Sequence, residues 1–224
     1  MKELQVLDLG LTEYEAAHKL QLSLVEDRVG GKIPDTLLLL EHPHVITLGR
    51  RMREHYKYIK GIPVYHVERG GEATYHGPGQ LVGYFIVDLN FFNNSIKDFV
   101  WSIEEALITT LKEFNIEASR VAGHPGVWVG SKKIASIGLA LRWWVTYHGF
   151  ALNVNTNLEY FKLINPCGLS PEIMTSMERL LGKKVDMETV KEILVEKICE
   201  TFAYTKIGSR RVLDGREKIL GIRT

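Results

Sequence analysis

The stretch Arg69–Phe85 reads RGGEATYHGPGQLVGYF. Its first twelve positions hold four glycines, a proline and a histidine, and an apolar run follows without a break. Glycine costs backbone entropy on folding, so this concentration marks a loop shaped around something other than its own packing. The run that leaves it, QLVGYFIVDL, alternates and is branched like a strand.

Outward from that loop the elements are mixed. Upstream, TLLLLEH from Thr36 predicts a short strand buried on both faces, and HVITLGRR a second extended piece. Thr12 and Glu15 have capping-box spacing and predict a helix through Val29. Downstream, Ser95 and Asp98 start a helix whose apolar positions Ile96, Phe99, Val100, Ile103, Leu107, Leu111 and Phe114 keep helical spacing. GVWVG, KIASIGLALRWW and YHGFALNVN then follow as strands of one sheet, the first two joined by a turn at Gly130-Ser131. A short helical piece begins at Leu158, INPCGLSP is a Pro/Gly-punctuated loop, and Asp186 caps a last helix. No repeat or linker divides the chain, so residues 1–224 are expected to form one domain, with 205–224 a tail of unassigned role. Strands and helices without βαβ alternation give an α+β class around one large sheet.

Composition narrows the function. A chain of 224 residues with 45% hydrophobic and 25% charged content is an ordinary globular protein. A net charge of +1 makes no case for nucleic-acid binding. No apolar run reaches membrane-spanning length and no charged-then-apolar leader opens the chain. The two cysteines, Cys167 and Cys199, are too few for a disulfide framework and suit a reducing compartment. A cytoplasmic location is expected.

Pro166 and Gly168 flank Cys167, which puts its thiol on a turn; from the residues alone, a nucleophile and a buried filler thiol stand level. Cys199 lies on an amphipathic helix and reads as core. A thiol with a pKa of about 8.5 reacts as thiolate and needs a base or a cation nearby. His76 and His148, in glycine-containing turns, are candidates. Lys133 is another, although spacing alone favours a solvated lysine at a strand end and does not separate it from Lys132. His42-x-His44 is set aside as a metal pair, because Pro43 interrupts the strand geometry and no acidic or cysteine partner is near. No metal site is expected.

LLLLEHPHVITLGRR, RGGEATYHGPGQLVGY, GVWVGSKKIASIG, HGFALNVN and INPCGL, in this order over about residues 36–170, resemble the LipB-type octanoyltransferases, which begin protein lipoylation. The resemblance implies a fold shared with lipoate and biotin protein ligases: a large mixed sheet flanked by helices, and a smaller sheet. It implies transfer of an octanoyl group from octanoyl-acyl carrier protein to Cys167, then to a lysine of a lipoyl domain. The acceptors would be the lipoyl domains of 2-oxoacid dehydrogenase complexes and the glycine cleavage H protein. No cofactor is implied. Cys167 matches the acyl-thioester nucleophile and Lys133 the lysine that activates it. Arg69, Gly70, Gly71, Glu72, Ala73, Thr74, Tyr75 and His76 match the substrate-binding loop. Ser136, Ile137, Gly138, Gly149, Phe150 and Ala151 match the other acyl-contacting segments. The glycines at 70, 71, 138 and 149 are expected to let backbone approach the acyl chain. The five basic residues between Arg50 and Lys60 could dock an acidic carrier, although an ordinary solvated surface is the simpler reading. An ATP-dependent lipoate ligase is the alternative; its triple-glycine loop is missing here, and it has no need of a PCGL cysteine.

Overall fold

In the computed structural model, which describes residues 2–52, 57–92, 94–164 and 171–211, the apolar run Leu37–Leu40 sits at the centre of the fold. Side chains alternate along a strand, so Leu37 and Leu39 enter one apolar layer while Leu38 and Leu40 enter another. Burial on both faces explains why polar residues do not interrupt the run.

Its strand, β2 (Asp35–Glu41), belongs to an eight-stranded mixed sheet. The other members are β1 (Lys2–Leu11), β7 (Gln80–Ile86), β8 (Ser119–Val121), β9 (His124–Val129), β10 (Lys132–Arg142), β11 (Val145–Asn153) and β12 (Tyr204–Arg211). The spatial order is β12-β1-β2-β7-β11-β10-β9-β8. β1 runs parallel to both β12 and β2, and the remaining pairs are antiparallel. A four-stranded sheet, β4 (Tyr58–Ile59), β5 (Ile62–His66), β3 (Val45–Leu48) and β6 (Ala73–His76), stands beside it.

Helices cover both faces of the large sheet. α2 (Ile96–Glu113) and α4 (Met187–Phe202) bury Phe99, Ile103, Leu107, Leu194, Ile198 and Phe202 against Leu37, Leu39, Phe85 and Leu152. α1 (Tyr14–Val29) covers the other face, where Ala17, Leu24 and Val25 meet Leu38, Leu40, Val82 and Ile86. A short helix, α3 (Met177–Leu181), precedes α4. Ser95 and Asp186 cap α2 and α4 by accepting hydrogen bonds from the Asp98 and Thr189 main-chain N–H groups.

Four expectations change. Thr12 does not cap α1: its hydroxyl donates to the Leu9 carbonyl at 2.8 Å, and Glu13, which makes no side-chain capping bond, occupies the N-cap. The glycine loop contains a strand, β6, paired with β3. Residues 2–11, which carry no sequence assignment, form the longest parallel partner in the sheet. The unassigned tail begins as β12, in parallel register with β1. Trp143 and Trp144 make the turn between β10 and β11 with φ of 53° and 63°, a left-handed backbone that bulky residues seldom adopt.

Leu38→Ala is expected to destabilise the protein by about 2–5 kcal/mol, read from urea unfolding midpoints. Leu11→Ala, at a side chain 63% exposed, is expected to stay within about 0.5 kcal/mol.

Candidate active site

Arg69 organises the site. Its guanidinium, 8% exposed, donates from Nη2 to the Thr47 carbonyl at 2.7 Å and to Thr47 Oγ1 at 2.8 Å, and from Nη1 to the Gly70 carbonyl at 3.1 Å. A buried guanidinium needs such partners to offset its lost hydration. The Gly70 N–H donates to the Leu139 carbonyl of β10 at 3.0 Å. The glycine loop is therefore stitched to β3 on one side and to the large sheet on the other.

Between these attachments lies a cleft of about 480 Å³, open mouth included. Arg69, Gly70, Gly71, Thr74 and His76 line it from the loop, Ser136, Ile137 and Gly138 from β10, and Gly149, Phe150 and Ala151 from β11. Three separated segments named by the sequence thus meet around one space. Glu72, Ala73 and Tyr75 do not line it. Along β6 the side chains alternate, so Thr74 and His76 face the cleft while Ala73 and Tyr75 enter the small sheet's core with Ile46 and Phe161. Glu72 instead accepts the Gly49 N–H at its main-chain carbonyl.

Two of the glycines answer to protein neighbours. A Cβ on Gly138 would stand 3.1 Å from Arg69 Cδ, and one on Gly149 would collide with the Gly83 carbonyl of the adjacent strand. The loop is also a poor source of oxyanion donors at two places: the N–H of Gly70 is given to Leu139, and that of Gly79 to the Glu41 carboxylate.

Further residues reach the cleft without having been singled out in the sequence: Tyr14 from α1, Thr47 from β3 and Tyr84 from β7. Tyr84 Oη lies 2.7 Å from His42 Nε2, and His42 Nδ1 lies 2.6 Å from the Thr12 carbonyl, so His42 donates to Thr12 and accepts from Tyr84. His44 Nδ1 meets Tyr75 Oη at 2.7 Å. Both histidines of His42-x-His44 are thus held by protein groups. His76 Nδ1 bonds Gln80 Oε1 at 2.7 Å. Burial pushes the His42 imidazole down to about 4 and His76 well below its usual range, with His42 and Arg69 adding to the effect at His76. Burial also pushes the Tyr14 and Tyr84 phenols up.

At the rim, Glu68 faces two imidazoles: His18 Nε2 at 3.2 Å and His148 Nε2 at 3.8 Å, the latter beyond hydrogen-bond length. The neighbouring His148 and His18 imidazoles hold the Glu68 carboxyl below its usual range. His148 itself is pushed down to about 4, because burial outweighs the pull of Glu68. Tyr14, His18 and Gln21 fall at i, i+4 and i+7 of α1, a polar stripe that would have marked this face of the helix.

The two lysines separate. Lys133 is 3% exposed, with its ammonium 5.4 Å above the Trp128 ring, whereas Lys132 is exposed and donates to the Glu172 carbonyl at 2.8 Å. The main chain of Lys133 bridges Met174 and accepts the Thr175 N–H at 2.9 Å. Lys133 stands outside the lining of the cleft. Cys167 lies outside the described residues. Cys199 packs half-buried against the main core. No helix among the described residues is long and apolar enough to cross a membrane.

This architecture is that of lipoate-protein ligases: a lipoate-protein ligase A solved with ATP superposes with a TM-score of 0.68 at 16% identity, over 96% of this chain and 90% of the other. The lipoyl protein ligase A/B catalytic domain family matches residues 13–199. An octanoyltransferase from Caldicellulosiruptor saccharolyticus is 50% identical over 84% of both chains. Another from Alkaliphilus metalliredigens is 46% identical over 90% of this chain and 96% of its own. The chain belongs to the lipoyl protein ligase A/B catalytic domain family and, within it, to the octanoyltransferases.

The buried histidines set an acid limit on stability. His42 takes up its proton at about 6.5 when unfolded and at about 4 when folded, so its contribution is complete above 6.5 and is lost as pH falls towards 4. His76 acts in the same direction. Unfolding midpoints in urea are expected to fall across this window, His42 alone accounting for a change on the order of 3 kcal/mol. His42→Gln should flatten part of the slope.

Proposed function

We propose that this chain moves an octanoyl group from the phosphopantetheine thioester of acyl carrier protein to Cys167, and from Cys167 to the ε-amine of a lipoyl-domain lysine. The observation that carries the reading is the convergence of Arg69, Gly70, Gly71, Thr74 and His76 with residues 136–138 and 149–151, segments matched by resemblance to acyl contact, on a single cleft. The octanoyltransferase relatives support the acyl group, since their similarity extends over most of the chain.

The chemistry needs no nucleotide. In the first step the Cys167 thiolate attacks the thioester carbonyl, and the tetrahedral adduct expels the carrier thiolate, which takes up a proton. In the second, a neutral lysine amine attacks the Cys167 thioester, loses a proton and expels the Cys167 thiolate, leaving an amide. Thioester exchange is close to balanced and amide formation runs downhill. Lys133 as ammonium would favour the thiolate; as neutral amine it would accept a proton from the attacking thiol or the incoming lysine. The Arg69 charge in the cleft wall would stabilise the developing oxyanion. Phe150, Ile137 and Ala151 would shelter the acyl methylenes, each worth about 0.8 kcal/mol on burial.

Incubation with octanoyl-carrier protein, without ATP, is expected to leave an octanoyl adduct on Cys167 visible by mass spectrometry. Lys133→Ala should slow its formation by about 10²-fold or more, and Lys132→Ala only slightly. Transfer that needs ATP and survives Cys167→Ala would replace this reading with a ligase. Equal losses at both lysines would undo the assignment of Lys133.

A further inference from the structure

Three side chains from three separate elements converge at the rim of the cleft. His18 lies on α1, Glu68 on the connection after β5, and His148 on β11. The Glu68 Oε2 atom is 3.2 Å from His18 Nε2 and 3.8 Å from His148 Nε2, and the three donor groups all fall within 4.8 Å of one another. Ligand atoms bound at about 2.0–2.2 Å around a tetrahedral ion stand roughly 3.3–3.6 Å apart, so a small closure of this cluster meets the geometry.

A second observation points to a missing ligand. His148 Nε2 is buried, has no hydrogen-bond partner, and is directed at this point. The backbone of His148 is held at φ 60°, an uncommon conformation for a non-glycine residue. Its main-chain N–H is fixed by Gln21 Oε1 at 2.7 Å, which sets the ring against α1. An orphaned buried nitrogen on a strained residue is the kind of feature that a bound group explains.

We propose that His18, Glu68 and His148 form a binding site for a divalent transition ion of the zinc class. Two imidazoles and one carboxylate match that class, whereas magnesium and calcium take oxygen donors. Glu68, with 46% of its side chain exposed, gives the ion a route from solvent. The His18 and His148 rings are stacked, inclined by 15° at 5.5 Å, so seating the ion requires the His18 ring to turn about χ2. Three protein ligands leave a fourth position open. Occupancy would brace α1, the connection carrying Glu68 and Arg69, and β11, which together form one side of the cleft.

The test uses full-length protein stripped with a chelator and titrated with Zn²⁺ against a chromophoric competitor, then with Co²⁺. One ion per chain is expected, with the visible absorption of four-coordinate cobalt. His18→Ala and Glu68→Gln, each checked for native circular dichroism, should weaken binding at least about 10-fold. His44→Ala, outside the cluster, should bind as the parent does. Absence of the cobalt spectrum, unchanged affinity in His18→Ala and Glu68→Gln, or an equal loss in His44→Ala would overturn the site. The readouts involve no acyl transfer, so failure here leaves the transferase reading untouched, and the reverse holds as well.

Discussion

A single buried cation anchors the loop that joins the two sheets. The Arg69 guanidinium bonds Thr47 of the small sheet and the neighbouring Gly70 carbonyl, which fixes the glycine loop to β3. Withdrawing that charge from water is costly, and these partners offset the loss. The Gly70–Leu139 main-chain bond and the absence of a side chain on Gly138 let the loop approach closely enough to close the arrangement. The cleft is thus a by-product of how this one residue is satisfied, and its walls inherit the rigidity of two sheets.

The same charge colours the chemistry of the cleft. It reinforces burial in keeping His76 and His148 unprotonated. A wall of neutral imidazoles and un-ionised phenols around one fixed cation is a dry, polar surface that can orient an ester-like carbonyl without competing as a charge. Tyr84, His42 and the Thr12 carbonyl form a bonded chain within it, so the tautomer of His42 is set by its neighbours.

Much of this was written locally and could be read locally. The doubly buried β2 is visible as an unbroken apolar run, and the caps at Ser95 and Asp186 depend only on residues three positions away. The glycine loop and the β10 and β11 segments could be named together because their motifs are contiguous and match a family pattern. What escaped is non-local. Thr12 has capping spacing, but its hydroxyl finds Leu9 and its main chain is taken by Glu41 and His42. Ala73 and Tyr75 leave the cleft through simple strand alternation once β6 is recognised as a strand. Tyr14, His18 and Gln21 resemble a solvated helix face until α1 lies across β11 and Gln21 accepts the His148 N–H. β1 and β12 are each completed by a neighbour far away in the chain.

That last pairing has a consequence for how the protein is made. Lys2 is in register with Tyr204, and Leu4 with Lys206. While the ribosome is still adding the intervening residues, one edge of β1 has no partner, for a period on the order of 10–40 s at about 5–20 residues per second. An uncovered parallel edge is an invitation to wrong pairing. The partly polar sequence of β1, with Lys2, Glu3, Gln5 and Asp8 spaced along it, gives the nascent strand a means of staying solvated until its last neighbour emerges.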